Sequence, residues 1–310
     1  MKKLKNIFII IITLLITIDI IINKELVAQT VGFSLNIWIT TLIPALFPFF
    51  IVSEILINYN ITKYLSPIFD KIMNKVFKIN GETAIVFLLS IISGFPSGAK
   101  NTKMLYDEKI ISSSVASKLL TFTHFSNPFF ILSTVSIFFL KDAKTGIVIL
   151  LSHYLSNIVV GIMFRDFCPN NSQIHFLKNE QPQSFGTTLA NAINNTINTL
   201  FLILGILTCF LIISTLIINK VAISNELAVF IKSILEITQG LQALGTLDIS
   251  MMLKCIFASM IISFGGLSVH MQVLSIISDT NISYFYFFIS RILASAISGI
   301  LCLIIYPLIF

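Results

Sequence analysis

Charge is what this chain has least of. Asp, Glu, Lys and Arg supply 11% of its 310 residues, while hydrophobic residues supply 56%; a soluble domain carries roughly twice that share of charge. A soluble globular protein is therefore excluded. The apolar runs also lack the period-two alternation of an outer-membrane barrel, which leaves an all-α, polytopic, integral membrane protein embedded in the lipid bilayer. No basic domain stands outside those runs. The net charge of +6 comes from lysines in short connections, as expected of cytoplasmic loops, so no nucleic-acid partner is expected. Four cysteines, Cys168, Cys209, Cys255 and Cys302, form no C-x-x-C pair and no metal spacing. Three of them lie inside apolar runs and read as small buried hydrophobes. There is no metal motif, nucleophile elbow or phosphate loop, so neither an enzyme nor a cofactor is expected.

What is present is a succession of apolar runs, some of them broken. The first, Ile7 to Ile22, follows Met1-Lys2-Lys3-Leu4-Lys5 and lacks an A-x-A-like cleavage site, so it reads as an uncleaved spanning helix (residues 1–30) and not as a signal peptide. Val31 to Ile57 is a second span, with Pro44 and Pro48 predicting a kink. From Asn60 to Asn80 lysines alternate with apolar residues at three and four, the pattern of a helix lying on the membrane surface. The run from Ala84 then stops at Gly94, Pro96 and Gly98 and meets Lys100. Its first arm is too short to span, so a re-entrant hairpin is expected there. Val115 to Leu140, broken at Asn127-Pro128, and Gly146 to Phe164 complete the first unit, residues 31–165.

A polar connector, residues 166–187, divides the chain. In the second unit (188–310), Leu189 to Ile218 reads as a span and Glu226 to Leu244 as a second surface helix. Met251 to Ser263 reads as a short arm broken at 264–272, and Ser283 to Phe310 as a final span. Pairing Ile91-Ile92-Ser93-Gly94 with Ile261-Ile262-Ser263-Phe264 gives an internal repeat. With an odd number of crossings in the first unit, the repeats are expected to be inverted, each carrying a broken or re-entrant hairpin, with a site between them. Eleven Lys and Arg residues fall on the N-terminal side of that topology against five on the other, which puts the N-terminus in the cytoplasm.

The residues at the breaks carry a resemblance. Leu42-Ile43-Pro44-Ala45-Leu46-Phe47-Pro48-Phe49-Phe50, Ser93-Gly94-Phe95-Pro96-Ser97-Gly98-Ala99-Lys100, Leu235-Glu236-Ile237-Thr238-Gln239-Gly240 and Phe264-Gly265-Gly266-Leu267-Ser268-Val269-His270-Met271-Gln272-Val273-Leu274 occur in that order. Together they resemble the YlbJ (SpoVV) sporulation integral membrane proteins. That family is similar to the nucleoside-recognition, or gate, domain superfamily and through it to the concentrative nucleoside transporters. The resemblance implies a bacterial cell membrane, in particular the outer forespore membrane, and transport of dipicolinic acid during endospore formation. Where many relatives have glycine before the proline equivalent to Pro128, this chain has Asn127.

The expected substrate-binding residues are Gly94, Pro96, Ser97, Gly98, Lys100, Asn127, Glu236, Gly265, Gly266, Ser268, His270, Gln272 and Arg291. Lys100 either snorkels to the surface or meets an anion. His270 is read as a ligand contact, with a proton relay and an interior histidine as the alternatives. Arg291 either pairs with Glu236 or Glu54 or lines the pathway; Glu236 either caps its helix or binds a coupling cation. A small organic anion would use helix N-termini, Ser97, Ser268, His270 and Lys100. A nucleoside would use Asn127, Gln272 and Glu236. A scaffold that transports nothing is the reading from another class. A coupling proton or cation and a homo-oligomer remain open.

Overall fold

The structure, a computed structural model, describes residues 2–167, 184–220 and 223–310. Cys168, Lys178 and most of the expected polar connector lie outside the described residues. Every regular element among the described residues is helical. Among the described residues, five helices are long and apolar enough to cross a membrane, or six if one bent pair counts as a span. This is a multi-pass integral membrane protein. Outward-facing Phe201, Ile300 and Ile304, each more than half exposed, are the side chains a hydrocarbon solvent accepts.

The chain opens with α1 (Lys2–Ile22), apolar on every side, then α2 (Lys24–Ile37), a π-helical stretch (Trp38–Leu42) and α3 (Ile43–Asn58). The π-helical widening sits directly before Pro44, whose ring nitrogen has no hydrogen to give the preceding turn. α4 (Ile61–Phe77) lies across the next segment, bent by 98° from the Gly81–Ser93 helix. It buries Met73 and Phe77 and leaves Tyr64, Ile68 and Ile72 exposed beside its lysines. α5 (Ala84–Ser93) and α6 (Ser97–Asp107) then form the first hairpin. α7 (Ser113–Leu120), an unwound segment and a π-helical Phe130–Phe139 make one interrupted helix, followed by α8 (Ala143–Met163). α9 (Phe185–Lys220) runs antiparallel to α2 and α3: Ser34 meets Thr208 (2.8 Å), the Trp38 ring nitrogen donates to the Leu200 carbonyl (3.0 Å), and Asn195 donates to Glu54.

The second unit differs from expectation. The segment read as one surface helix is two, α10 (Asn225–Leu235) and α11 (Ile237–Thr246), joined by the single extended residue Glu236 and folded back on each other. Ser233 packs so close to Gly240 that a Cβ there would lie 2.5 Å from its Cα. The segment read as a re-entrant arm instead runs through: α12 (Met251–Phe264) and α13 (Gly266–Ile277), interrupted at Gly265, form one 27-residue crossing. The ends of this crossing show it. Lys103, at the mouth of the first hairpin, donates to Asp279 (2.8 Å), holding that carboxyl below its usual pKa, and Ser117 accepts from the Ser283 N–H (2.8 Å). Gly245, at the mouth of the second hairpin, abuts the Phe139 carbonyl at the opposite end. α14 (Tyr284–Ile309) returns to that end, where Lys144 lies over the Phe310 ring, 5.6 Å from its centroid.

The order hairpin, interrupted helix, closing helix thus starts at 84, 113 and 143 and again at 225, 251 and 284, a spacing of roughly 140 residues. The 170-residue pairing expected from the sequence joined a hairpin tip to the wrong element, because alike residues surround both kinds of break. Two apolar cores flank the middle. One gathers Phe77, Leu105, Leu119, Phe122 and Ile277 near one end; the other gathers Val135, Val148, Leu241, Ile262 and Cys302 near the other. The topology has a direct check. Cysteines placed at exposed Lys109 and Asp279 are expected to react with a membrane-impermeant maleimide from the same side, and a cysteine at Lys144 from the opposite side. Labelling of positions 279 and 144 from one side would contradict the through-running α12–α13 crossing.

Candidate functional site

Both hairpin tips end in the middle of the molecule, where both interrupted helices lose their regular backbone. Gly94 closes α5 at φ +83°, a cis Phe95-Pro96 bond follows, and α6 begins at Ser97. A Cβ on Gly94 would lie 2.4 Å from the Asn127 nitrogen, and one on Gly98 would lie 2.1 Å from the Thr123 carbonyl oxygen. Glycine lets the first tip press backbone to backbone against the unwound segment. In the second unit Gly265 (φ +94°) and Gly266 (φ +65°) turn the chain between α12 and α13, and Gly266 faces Ile237 at the second tip.

Each break frees backbone groups that lipid cannot satisfy, and each has a named partner. The Asn127 amide donates to the Ile92 and Ser93 carbonyls (3.1 and 3.3 Å), and its oxygen accepts from the Phe129 and Phe130 N–H groups (2.8 and 3.3 Å). His153 Nε2 accepts from the Ser126 N–H (2.9 Å), so the ring hydrogen is on Nδ1, which meets Ser263 Oγ at 2.8 Å. His270 Nε2 donates to the Phe264 carbonyl freed by the second break (3.0 Å), while Nδ1 accepts from the Tyr284 hydroxyl (2.7 Å). The Tyr154 hydroxyl lies 2.8 Å from the Ile91 carbonyl and 3.0 Å from that of Ser126, and donates to one of them. Arg291 donates to the Thr121 carbonyl and to Asn157 Oδ1 (2.8 Å), putting a fixed positive charge at the C-terminal end of α7.

Between the two tips lies a narrow cavity of about 60 Å³, room for a few waters. Ser93, Phe95 and Pro96 line it from the first tip, Ser126, Asn127, Phe129 and Phe130 from the unwound segment, Glu236, Ile237 and Thr238 from the second tip, and Val269 and Gln272 from α13. Ala45 and Leu46 of α3 and Ile203 and Leu207 of α9 close its side. Glu236 is buried and caps α11 by accepting from the Gln239 N–H (2.9 Å). Ser126 Oγ is buried and without a partner. Among the described residues, Glu236 is the only charged one in the lining.

No protein-family model and no solved structure matches the chain. The sporulation integral membrane protein YlbJ of Bacillus subtilis (strain 168) is similar to it, with 28% identity over 99% of this chain and 84% of the relative. That match covers both units and every break. The chain is similar to that YlbJ protein along nearly its whole length.

The expected site residues divide into three groups. Pro96, Asn127, Glu236 and Gln272 line the cavity. Gly94, Ser97, Gly98, Gly265, Gly266, Ser268 and His270 belong to the breaks but not to the lining; Ser97 accepts from the Ser93 hydroxyl (2.5 Å), and Ser268 Oγ is buried without a partner. Lys100 and Arg291 lie elsewhere. Lys100 neither snorkels nor reaches the cavity but pairs with Glu54, 3.5 Å away. Arg291 pairs with neither Glu236 nor Glu54, because the carbonyl and the amide oxygen already surround its guanidinium. The sequence reading missed Ser126 and His153. His153 sits inside a clean apolar span, and a lone histidine there was the available signal.

The accounting predicts a cost. His153→Phe leaves the Ser126 N–H without an acceptor and should destabilise the protein by about 1–3 kcal/mol, read as a lower Tm in detergent. His153→Gln, which can still accept, should recover part of the loss. Equal stability of wild type and His153→Phe would count against the bond.

Proposed function

We propose that this protein shares the role of the YlbJ family and is a secondary transporter of a small organic anion, with dipicolinate as the substrate, acting at the outer forespore membrane during endospore formation. One observation carries the reading: a mostly apolar cavity with a few convergent polar groups in the middle of the molecule, where two hairpin tips, entering from opposite ends, meet two interrupted helices. Discontinuous helices around a central cavity are how membrane transporters bring backbone polar groups to a solute. The similarity to a sporulation integral membrane protein supports the developmental setting. We read the two units as inverted repeats that open the cavity to each side in turn.

In this reading the unpartnered Ser126 hydroxyl and the free amide of Gln272 donate to the carboxylates, and Phe95, Phe129 and Phe130 pack on the aromatic ring. Asn127 serves mainly to shape the cavity, since its polar atoms are occupied by backbone. The lining favours a second substrate class as well. It offers a carboxylate, Glu236, beside the amide of Gln272 and no cationic side chain, which suits the hydroxyls and base of a nucleoside.

Reconstituted proteoliposomes separate the two. Labelled dipicolinate should enter, unlabelled dipicolinate should compete, and uridine should not; the reverse order of competition would assign the nucleoside reading. Gln272→Ala should lower uptake roughly tenfold, the loss of one buried hydrogen bond of about 1–1.5 kcal/mol. Absence of uptake of either solute, together with no protection of Ser126→Cys from alkylation, would favour a scaffold instead.

A further inference from the structure

A second buried polar site lies outside the cavity, between α6 and the pair α3–α9. Glu54 on α3 and Lys100 on α6 are both buried, with Glu54 Oε2 and Lys100 Nζ 3.5 Å apart. Asn195 on α9 donates to Glu54 Oε1, Lys100 Nζ meets Thr196 Oγ1 at 3.3 Å, and Lys100 lies over the Phe50 ring, 4.4 Å from its centroid. Among the described residues no other charged group pairs with either partner. The groups facing the pair from α9, Asn195 and Thr196, are neutral, as is Phe50 on α3. Glu54 Oε2 makes no hydrogen bond at all.

We propose that Glu54 is the proton-coupling site of the transporter, with Lys100 as its counter-charge. The inference rests on the transport reading above. α6 is the returning arm of the hairpin whose tip lines the cavity, whereas α3 and α9 form the cavity's side wall. Opening of the cavity by movement of that hairpin against α3 and α9 would draw Lys100 away from Glu54. Separating a carboxylate from an ammonium inside low-dielectric surroundings is strongly unfavourable. A proton removes the obstacle: the Glu54 carboxylate takes one H⁺ from water to become a carboxylic acid, no other bond changes, and the same H⁺ returns to water when the ion pair re-forms. While the proton is bound, the ammonium of Lys100 has no carboxylate partner, and the net charge of the site is one unit more positive. An anion in the adjacent cavity is then favoured, so anion and proton bind cooperatively and cross together. Glu54 Oε2, whose one polar neighbour is the Lys100 ammonium, is the oxygen that takes the proton as the pair separates.

The test uses the full chain in proteoliposomes. An inward-directed proton gradient should drive accumulation of labelled dipicolinate or uridine, whichever solute wild type moves, with internal acidification reported by a trapped pH-sensitive dye. Glu54→Gln fixes the protonated shape; it should retain solute exchange at equal pH on both sides and lose gradient-driven accumulation at least tenfold. The double variant Glu54→Gln/Lys100→Met removes both buried charges and guards against misfolding of the single variant; it should exchange but not accumulate. Gradient-driven accumulation at the wild-type level in either variant overturns the proposal while leaving transport intact. A wild-type chain that moves neither solute overturns the transport reading, and the coupling falls with it.

Discussion

Backbone groups that lose their helical partners inside a bilayer must find new ones within the protein. The rest of this structure depends on meeting that demand. Four interruptions converge at mid-depth, and each would expose carbonyl and N–H groups to hydrocarbon if left alone. Asn127, His153, Tyr154, His270 and Arg291 take up most of these groups. The two apolar cores lie on either side of this polar waist and not within it, so packing holds the ends while hydrogen bonds hold the middle. The arrangement explains how a chain so poor in charge keeps buried Arg291, His153 and His270: they serve the backbone, not one another.

Much of this was legible in the sequence. Gly94, Pro96 and Gly98 announce the first tip because no helix tolerates that spacing in an apolar run, and Asn127-Pro128 announces the unwound segment for the same reason. The second tip was not legible. A single extended residue, Glu236, turns the chain there, and neither glycine nor proline marks the turn itself. The glycine that permits the hairpin, Gly240, lies a turn later, where it reads as an ordinary helical glycine. Gly265-Gly266 was legible as a break but not as one that lets the helix continue. Direction after a break depends on what the two arms pack against, and that is set by residues far away in sequence.

The site residues show the same division. Of the expected residues, Pro96, Glu236 and Gln272 line the cavity, where motif and cavity coincide at the tips and in the first two turns of α13. Lys100 and Arg291 were drawn into the expected site because a charge in an apolar run suggests function. Their partners are Glu54, Thr196, Asn157 and the Thr121 carbonyl, each more than 40 residues away in the chain, and no local pattern predicts such meetings. The charge was correctly marked as unusual; its address was not readable.

One ring deserves a last look for what it joins. His153, carried on α8, holds the Ser126 N–H of the first interruption with one nitrogen and meets the Ser263 hydroxyl beside the second with the other. Its single mobile hydrogen fixes which nitrogen gives and which receives, so the two bonds are made together or rearranged together. One imidazole thus ties the break of the first unit to the break of the second.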